Sequence, residues 1–487
     1  MGLQGQPARL VLLFLISLPA SAQQPASKPP EPPRPRDLAL SPAPAPIPAL
    51  RYRLLPSSAE LTPGDAAPIY LRNHGYEDRG LQPRWQQIRH KAGKWLALPL
   101  DQFPIAEAGE FIGPWTGRKF AQLEYGARRR TCDWNYTLPE ERSHAVEINL
   151  PDAQEMRNWG CLLAIKARIE IASGRYDDAV RTIETGIAFA RHVGGGPFLI
   201  NGLVGASIAN QMLDEVVELI GRPGAPNLYW ALTALPHPLI SLRDQAETDQ
   251  KMLEYVIPEL GEAELARPRN PAEWSVYLAR MHGGFARLAR SFNYDPQDEP
   301  WVKSIPDWTL GRFKAEALPA ARGYLKATRG FGDEQLGVMP DDQLVALYLA
   351  GRYHELNDEV YKAAYLPARE AIPQIDAAEK RLKPFASGPL ALTLANLRLL
   401  RNTQTGAVWP DRLVADLRVI EAIRLHAAAH GGQLPDSLEQ ITVVPVPEDP
   451  ATGKPFLYRR SGDAAILHGP LAGLNKPLPT YRITIRR

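Results

Sequence analysis

The chain has 487 residues, more than the roughly 100–200 of a single domain, so several domains or an extended array are expected. Its formal net charge is only +2 and it holds two cysteines. That balance supplies neither a basic field for nucleic acid nor an acidic field for a polycation, and two cysteines cannot make a disulfide framework or a zinc knuckle.

At the start of the chain Arg9 precedes an apolar run from Leu10 to Leu18 and a small-residue site, Ala20-Ser21-Ala22. This layout predicts a secretory signal peptide over residues 1–22 with cleavage before Gln23. The run is too short for a permanent anchor, and no later stretch offers the roughly 20 uninterrupted apolar residues of a membrane span. An exported protein, periplasmic or extracellular, without a transmembrane segment in the mature chain is expected. Residues 23–56 are rich in Pro and Ala and predict a solvated, extended, disordered linker. Residues 57–139 read as a loop-rich wrap, with turn formers between short apolar pieces. Its rings, Trp85, Trp95, Phe103, Phe111, Trp115, Phe120, Tyr125 and Trp134, are expected to anchor it to the body, a sugar-binding platform being the alternative. An oxidising compartment leaves a Cys132–Cys161 disulfide open.

Helical periodicity then takes over and predicts an array across residues 140–410. Trp159, Leu162, Leu163, Ala167 and Ile169 to Ile171 recur at helical spacing up to a stop at Gly174, and Ala179, Val180, Ile183, Ile187 and Ala190 mark a second helix directly after it. The two make an αα-hairpin. Ala167, Gly174, Tyr176, Ala179 and Gly186, within residues 160–193, resemble one tetratricopeptide repeat, which implies close packing of the pair through small residues. Ile183 stands where that family has an aromatic, and no further clean repeat follows. A diverged array is therefore expected. Further helices are predicted up to Gly221 and over 271–292, 308–328, 341–383, 389–402 and 410–430.

Residues 411–487 predict a small α/β tail: a helix left through Gly431-Gly432, a short second helix from Pro435, an Asp449 carboxylate that bonds the following amides, and a few strands. Over residues 417–460, Glu421, Arg424, Gly432, Leu434, Pro435, Asp449, Pro450, Gly453, Pro455 and Tyr458 are similar to the soluble part of bacterial pseudopilins. Pseudopilins begin with a processed apolar helix, whereas this unit stands at the C-terminal end. The fold class expected is mainly α, an irregular antiparallel helical array of α-solenoid-like form between a loop-rich N-terminal region and the small α/β tail. As a whole the chain resembles exported helical proteins of the bacterial envelope, a likeness that names no activity.

Catalytic signatures are missing. No HExxH is present, His144 with Glu147 gives one histidine and one carboxylate, and no GxSxG elbow occurs. His192 before Gly194–Gly196 reads as an ordinary helix end. No catalytic residue, metal or cofactor is expected. Asp244, Glu247 and Glu254 share a helix face that a Glu247–Lys251 pair explains as solvated surface. Were that face concave, Trp230, His237 and Arg243 would join the three acids as lining. The function expected is a non-enzymatic exported scaffold or binding protein of the cell envelope with a protein or peptide partner. The alternatives are an exported hydrolase using carboxylates in a helical cleft and an accessory subunit of an envelope or secretion assembly. Oligomeric state is left open.

Overall fold

The structure, a computed structural model, describes residues 35–74, 82–136, 151–291, 309–385, 390–471, 474 and 477–486. The expected signal peptide, the first part of the expected linker, the start of the expected array at 140–150, and His144 and Glu147 lie outside them. The chain divides into two units: a larger one of residues 25–134, 151–245 and 403–487, and a smaller one of residues 1–24, 135–150 and 246–402. The single array expected over 140–410 is thus split after residue 245, and its first part folds with both flanking regions.

Where a disordered linker is expected to residue 56, the chain forms a strand, β1 (Arg36–Leu40). Alternation within RDLAL is the reason: Leu38 and Leu40 fall on one face and are buried. Ala43 and Leu54 beyond it are buried too, so the prolines there fix an ordered path. The wrap follows as β2 (Thr62–Asp65), α1 (Ala67–His74), α2 (Gln82–Leu96), α3 (Ile105–Ile112), α4 (Arg118–Ala127) and β3 (Arg129–Thr131), which pairs with β2 in parallel. Its rings are anchors: Trp85, Trp95, Phe103, Phe111, Trp115 and Phe120 are buried, and Trp85 meets Trp159 edge-on at 5.1 Å. Trp134 is partly buried and donates to the His192 carbonyl at 3.1 Å, whereas Tyr125 is 60% exposed.

The larger unit is centred on α5 (Pro151–Ala172), α6 (Tyr176–Gly194) and α7 (Leu199–Ile220), each of which packs on the other two. Ala167 and Ala179 are fully buried in the hairpin, and Gly174 turns between its helices at φ +73°. Small residues set the spacing. A Cβ on Gly205 would stand 2.6 Å from the Ala190 carbonyl oxygen and from Gly194 Cα, so α6 and α7 touch backbone to backbone. A short helix, α8 (Tyr229–Thr233), follows.

The next elements are α9 (Arg243–Val256), α10 (Glu262–Leu265), α11 (Pro271–Ser291), α12 (Leu310–Arg329), α13 (Asp333–Val338), α14 (Asp341–Tyr361) and α15 (Ala368–Leu382), which from Ala246 onward belong to the smaller unit. Within it α14 is central and packs on α11, α12 and α15. Ala321, Tyr324, Leu325, Leu336 and Leu344 form a core there, and Tyr324 Oη donates to Glu355 at 2.8 Å. The one helix expected from 341 to 383 is broken, because Pro367 disfavours helical geometry at Leu366 and cannot donate.

The opposite holds at Pro410, which lies inside a single helix, α16 (Ala391–Ala429), where two are expected. Buried apolar residues continue at helical spacing on both sides of it, Leu400, Ala407 and Val408 before, Leu413, Leu417 and Ile420 after. Their packing outweighs the local penalty of roughly 3 kcal/mol. The tail adds β4 (Glu448–Asp449), β5 (Lys454–Pro455), β6 (Leu457–Ser461), β7 (Ala464–His468) and β8 (Tyr481–Ile485). The sheet order is β1-β8-β7-β6, with β1 parallel to β8 and the other pairs antiparallel. The tail is therefore not self-contained, since an N-terminal strand completes its sheet. Gly431 and Gly432 leave the helix at φ +63° and +81°, and Asp449 accepts from the amides of Ala451 and Thr452 at 2.8 and 3.1 Å, as the sequence predicts. Pro435 does not start a helix; a single 3-10 turn begins at Leu438. Among the described residues, no helix is long and apolar enough to cross a membrane.

Candidate functional site

Within the larger unit, α5 and α7 run side by side, close enough that a Cβ on Gly160 would stand 2.8 Å from Ile208 Cγ1. Arg157, Cys161 and Arg168 are spaced i, i+4, i+11 on α5, and Gln211, Asp214, Glu215 and Glu218 are spaced i, i+3, i+4, i+7 on α7, so each set occupies one helical face. These two faces border a cavity of about 1150 Å³. Its remaining walls are Arg89, Ala92, Gly93 and Leu96 of α2, the loop from Ala97 to Asp101, residues 36–39 of β1, and Arg222 with Arg486.

The middle of the cavity is a closed ion-pair network. Arg168 grips Glu215 with two bonds, Nε to Oε2 at 2.7 Å and Nη2 to Oε1 at 2.8 Å, both side chains being buried. The same guanidinium donates to the carbonyls of Leu98 and Leu96 at 3.1 and 3.3 Å and so caps the end of α2. Burial pushes Glu215 up to about 7, and Arg168 opposes this by favouring the ionised form. Glu218 is held by Arg36 and lies 3.6 Å from Arg168. These two carboxylates are committed to cations.

The end of the cavity formed by α2 and the first half of α5 differs. Arg89 and Arg157 have no ion-pair partner among the described residues, and they are close enough to repel: burial, then Arg89, lowers the pKa of the Arg157 guanidinium. Beside them Cys161 is a free, buried thiol, raised by burial and hydrogen-bonded by the Gln211 amide, whose own Oε1 is buried without a partner. A thiol held neutral in this way is a poor nucleophile. At the other end Arg486 donates to the Gly221 carbonyl at 2.7 Å, and Arg222 Nε is buried without a partner.

The six residues expected as a lining are placed elsewhere. Trp230 lies in α8, edge-on to Tyr229 at 5.2 Å, and His237 lies in the following loop, 3.2 Å from Asp411, whose hydrogen bond raises its pKa. Arg243 and Asp244 open α9 and are counted with the larger unit, Glu247 and Glu254 with the smaller. Lys251 pairs with Glu254 at 3.6 Å, and Glu254 lies 3.8 Å from His354. None of the six lines the cavity.

The expected helix-end role of His192 is fuller than the sequence implies, since Tyr70 Oη hydrogen-bonds its Nδ1 at 2.9 Å and burial lowers its pKa to about 4. Cys132 and Cys161 are both free thiols, so the open disulfide is not formed. A search for HExxH passes over His426 and His430, one helical turn apart with rings stacked at 3.9 Å. Among the described residues, no group of three His, Cys, Asp or Glu side chains is placed to hold a metal. Sequence reasoning missed the cavity because its walls come from α2, α5, α7 and both ends of the chain; the only local signal was the one-turn spacing of Arg157 and Cys161. Compared with known proteins, the chain matches no family model, no curated protein and no solved structure.

Proposed function

We propose that the protein is an exported, non-enzymatic binding protein that takes its ligand in the cavity bordered by α5 and α7. The observation that carries this reading is the wall itself. A cavity of mixed polar and apolar wall holds two guanidinium groups that no carboxylate among the described residues neutralises, while Glu215 and Glu218 are engaged and its thiol is held neutral. Guanidinium groups poised to attract, beside a thiol held neutral and a buried Glu215 already paired, fit a binding site. Export rests on the layout of residues 1–22 alone.

Gly93 provides the test. Nothing lies within 4 Å of where its Cβ would be, so Gly93→Trp places an indole against the cavity without strain in α2. Native mass spectrometry of the protein purified from its own host should find a bound small molecule in the wild type and none in Gly93→Trp. An identical bound species in both proteins would place the ligand elsewhere. A hydrolase is the second reading, because Asp101 lines the cavity outside the ion-pair network, and it requires turnover that Asp101→Asn abolishes.

A further inference from the structure

We propose that the Arg89–Arg157 end of the cavity is an oxyanion subsite, and that the ligand is an organic acid bearing a carboxylate, phosphate or sulfate group. This rests on the reading of the cavity as a ligand site and names the chemistry it selects.

Contrast within one cavity carries the argument. Arg168 shows how this fold treats a structural arginine: both oxygens of a buried carboxylate and two backbone carbonyls satisfy it. Arg486 is bonded to a backbone carbonyl. Arg89 and Arg157 have neither, yet Arg157 is half-buried and lies beside a like charge. Arg89, which is exposed, and the half-buried Arg157 both border this space, and the repulsion between them is relieved when an anion enters. The planar forks then give bidentate, charge-assisted bonds to a carboxylate or phosphate. Gln211 lines the same end of the cavity and gives its amide to the Cys161 thiol, so it adds no negative charge there. Ala92, Gly93 and Leu96 line the same space and leave room for the apolar body of such a ligand.

Isothermal titration of the full chain with inorganic phosphate, sulfate and succinate tests this. Phosphate or succinate should bind the wild type, and Arg157→Gln or Arg89→Gln should weaken binding at least about tenfold. Arg312→Gln, on the exposed part of α12, should leave binding unchanged. A second readout separates a binding arginine from a structural one: without any anion, Arg157→Gln should melt at the wild-type temperature or above it, and added phosphate should raise the melting temperature of the wild type alone. Equal phosphate affinity in Arg157→Gln and wild type, or no heat from any of the three anions, would overturn the proposal. If it is overturned while Gly93→Trp still removes the ligand bound in the host, the cavity reading stands and only the oxyanion subsite falls.

Discussion

Asp416 sits on α16 with 1% of its surface exposed, and neither carboxylate oxygen has a hydrogen-bond partner. Burial pushes its pKa up to about 8; Arg412 opposes that rise and Asp449 adds to it. An unfolded chain would release the same proton near pH 3.9, so the folded state binds a proton that the unfolded state has lost. The associated stability is complete below about pH 4 and disappears as pH rises towards 8, with a slope of at most about 1.4 kcal/mol per pH unit for one group. Thermal melts from pH 5 to 8 should therefore show falling stability. Asp416→Asn, which cannot ionise, should melt above the wild type at pH 8 and show a shallower slope. Glu215, also raised, keeps the slope from vanishing. An unchanged slope in Asp416→Asn would mean that Asp416 is ionised in the folded protein. Neither carboxylate stands out in the sequence, where each is one acid in a helix; both shifts come from burial that only tertiary packing creates.

Close approach of α6 and α7 makes Gly205 the most exacting position of the helical core. Gly205→Ala should cost about 1–3 kcal/mol, because the atoms its methyl meets are backbone and cannot rotate away. A melting temperature equal to the wild type would show that the two helices can separate without loss. The helices themselves were legible, since the apolar spacing around Trp159 and Ile183 and the stop at Gly174 fix the hairpin locally. Breaks were less so. Proline is a local signal, and it was decisive at Pro367, where the chain turns, but was overridden at Pro410, where buried side chains on both sides hold one helix together. β1 was hidden for the same reason: five residues in a Pro-rich stretch form a strand only because β8, more than four hundred residues later, offers an edge. The candidate site was the least legible, as Arg89, Arg157 and Gln211 belong to three helices and share no sequence pattern.

Across the whole chain, β1 supplies both the edge of the sheet and one wall of the cavity, so its removal should be felt in both places. A chain beginning at Ser41 should lose amide protection along Tyr481–Ile485 in hydrogen exchange and bind the cavity ligand more weakly. Full protection of β8 in that chain would show that the C-terminal strands hold together unaided. The parallel pairing of Arg36 with Tyr481 also orders events in time. During synthesis at about 5–20 residues per second, all of residues 246–402 emerge before the partner of β1 exists. Segments of the smaller unit can meet one another early, while the larger unit must hold its first strand unpaired until the last one is made, and its closure depends on contacts of very long sequence separation, the kind that slow folding. The site bordered by α5 and α7 is thus among the last features of the molecule to be completed, and a chain interrupted before residue 481 could carry every lining helix and still lack an intact wall.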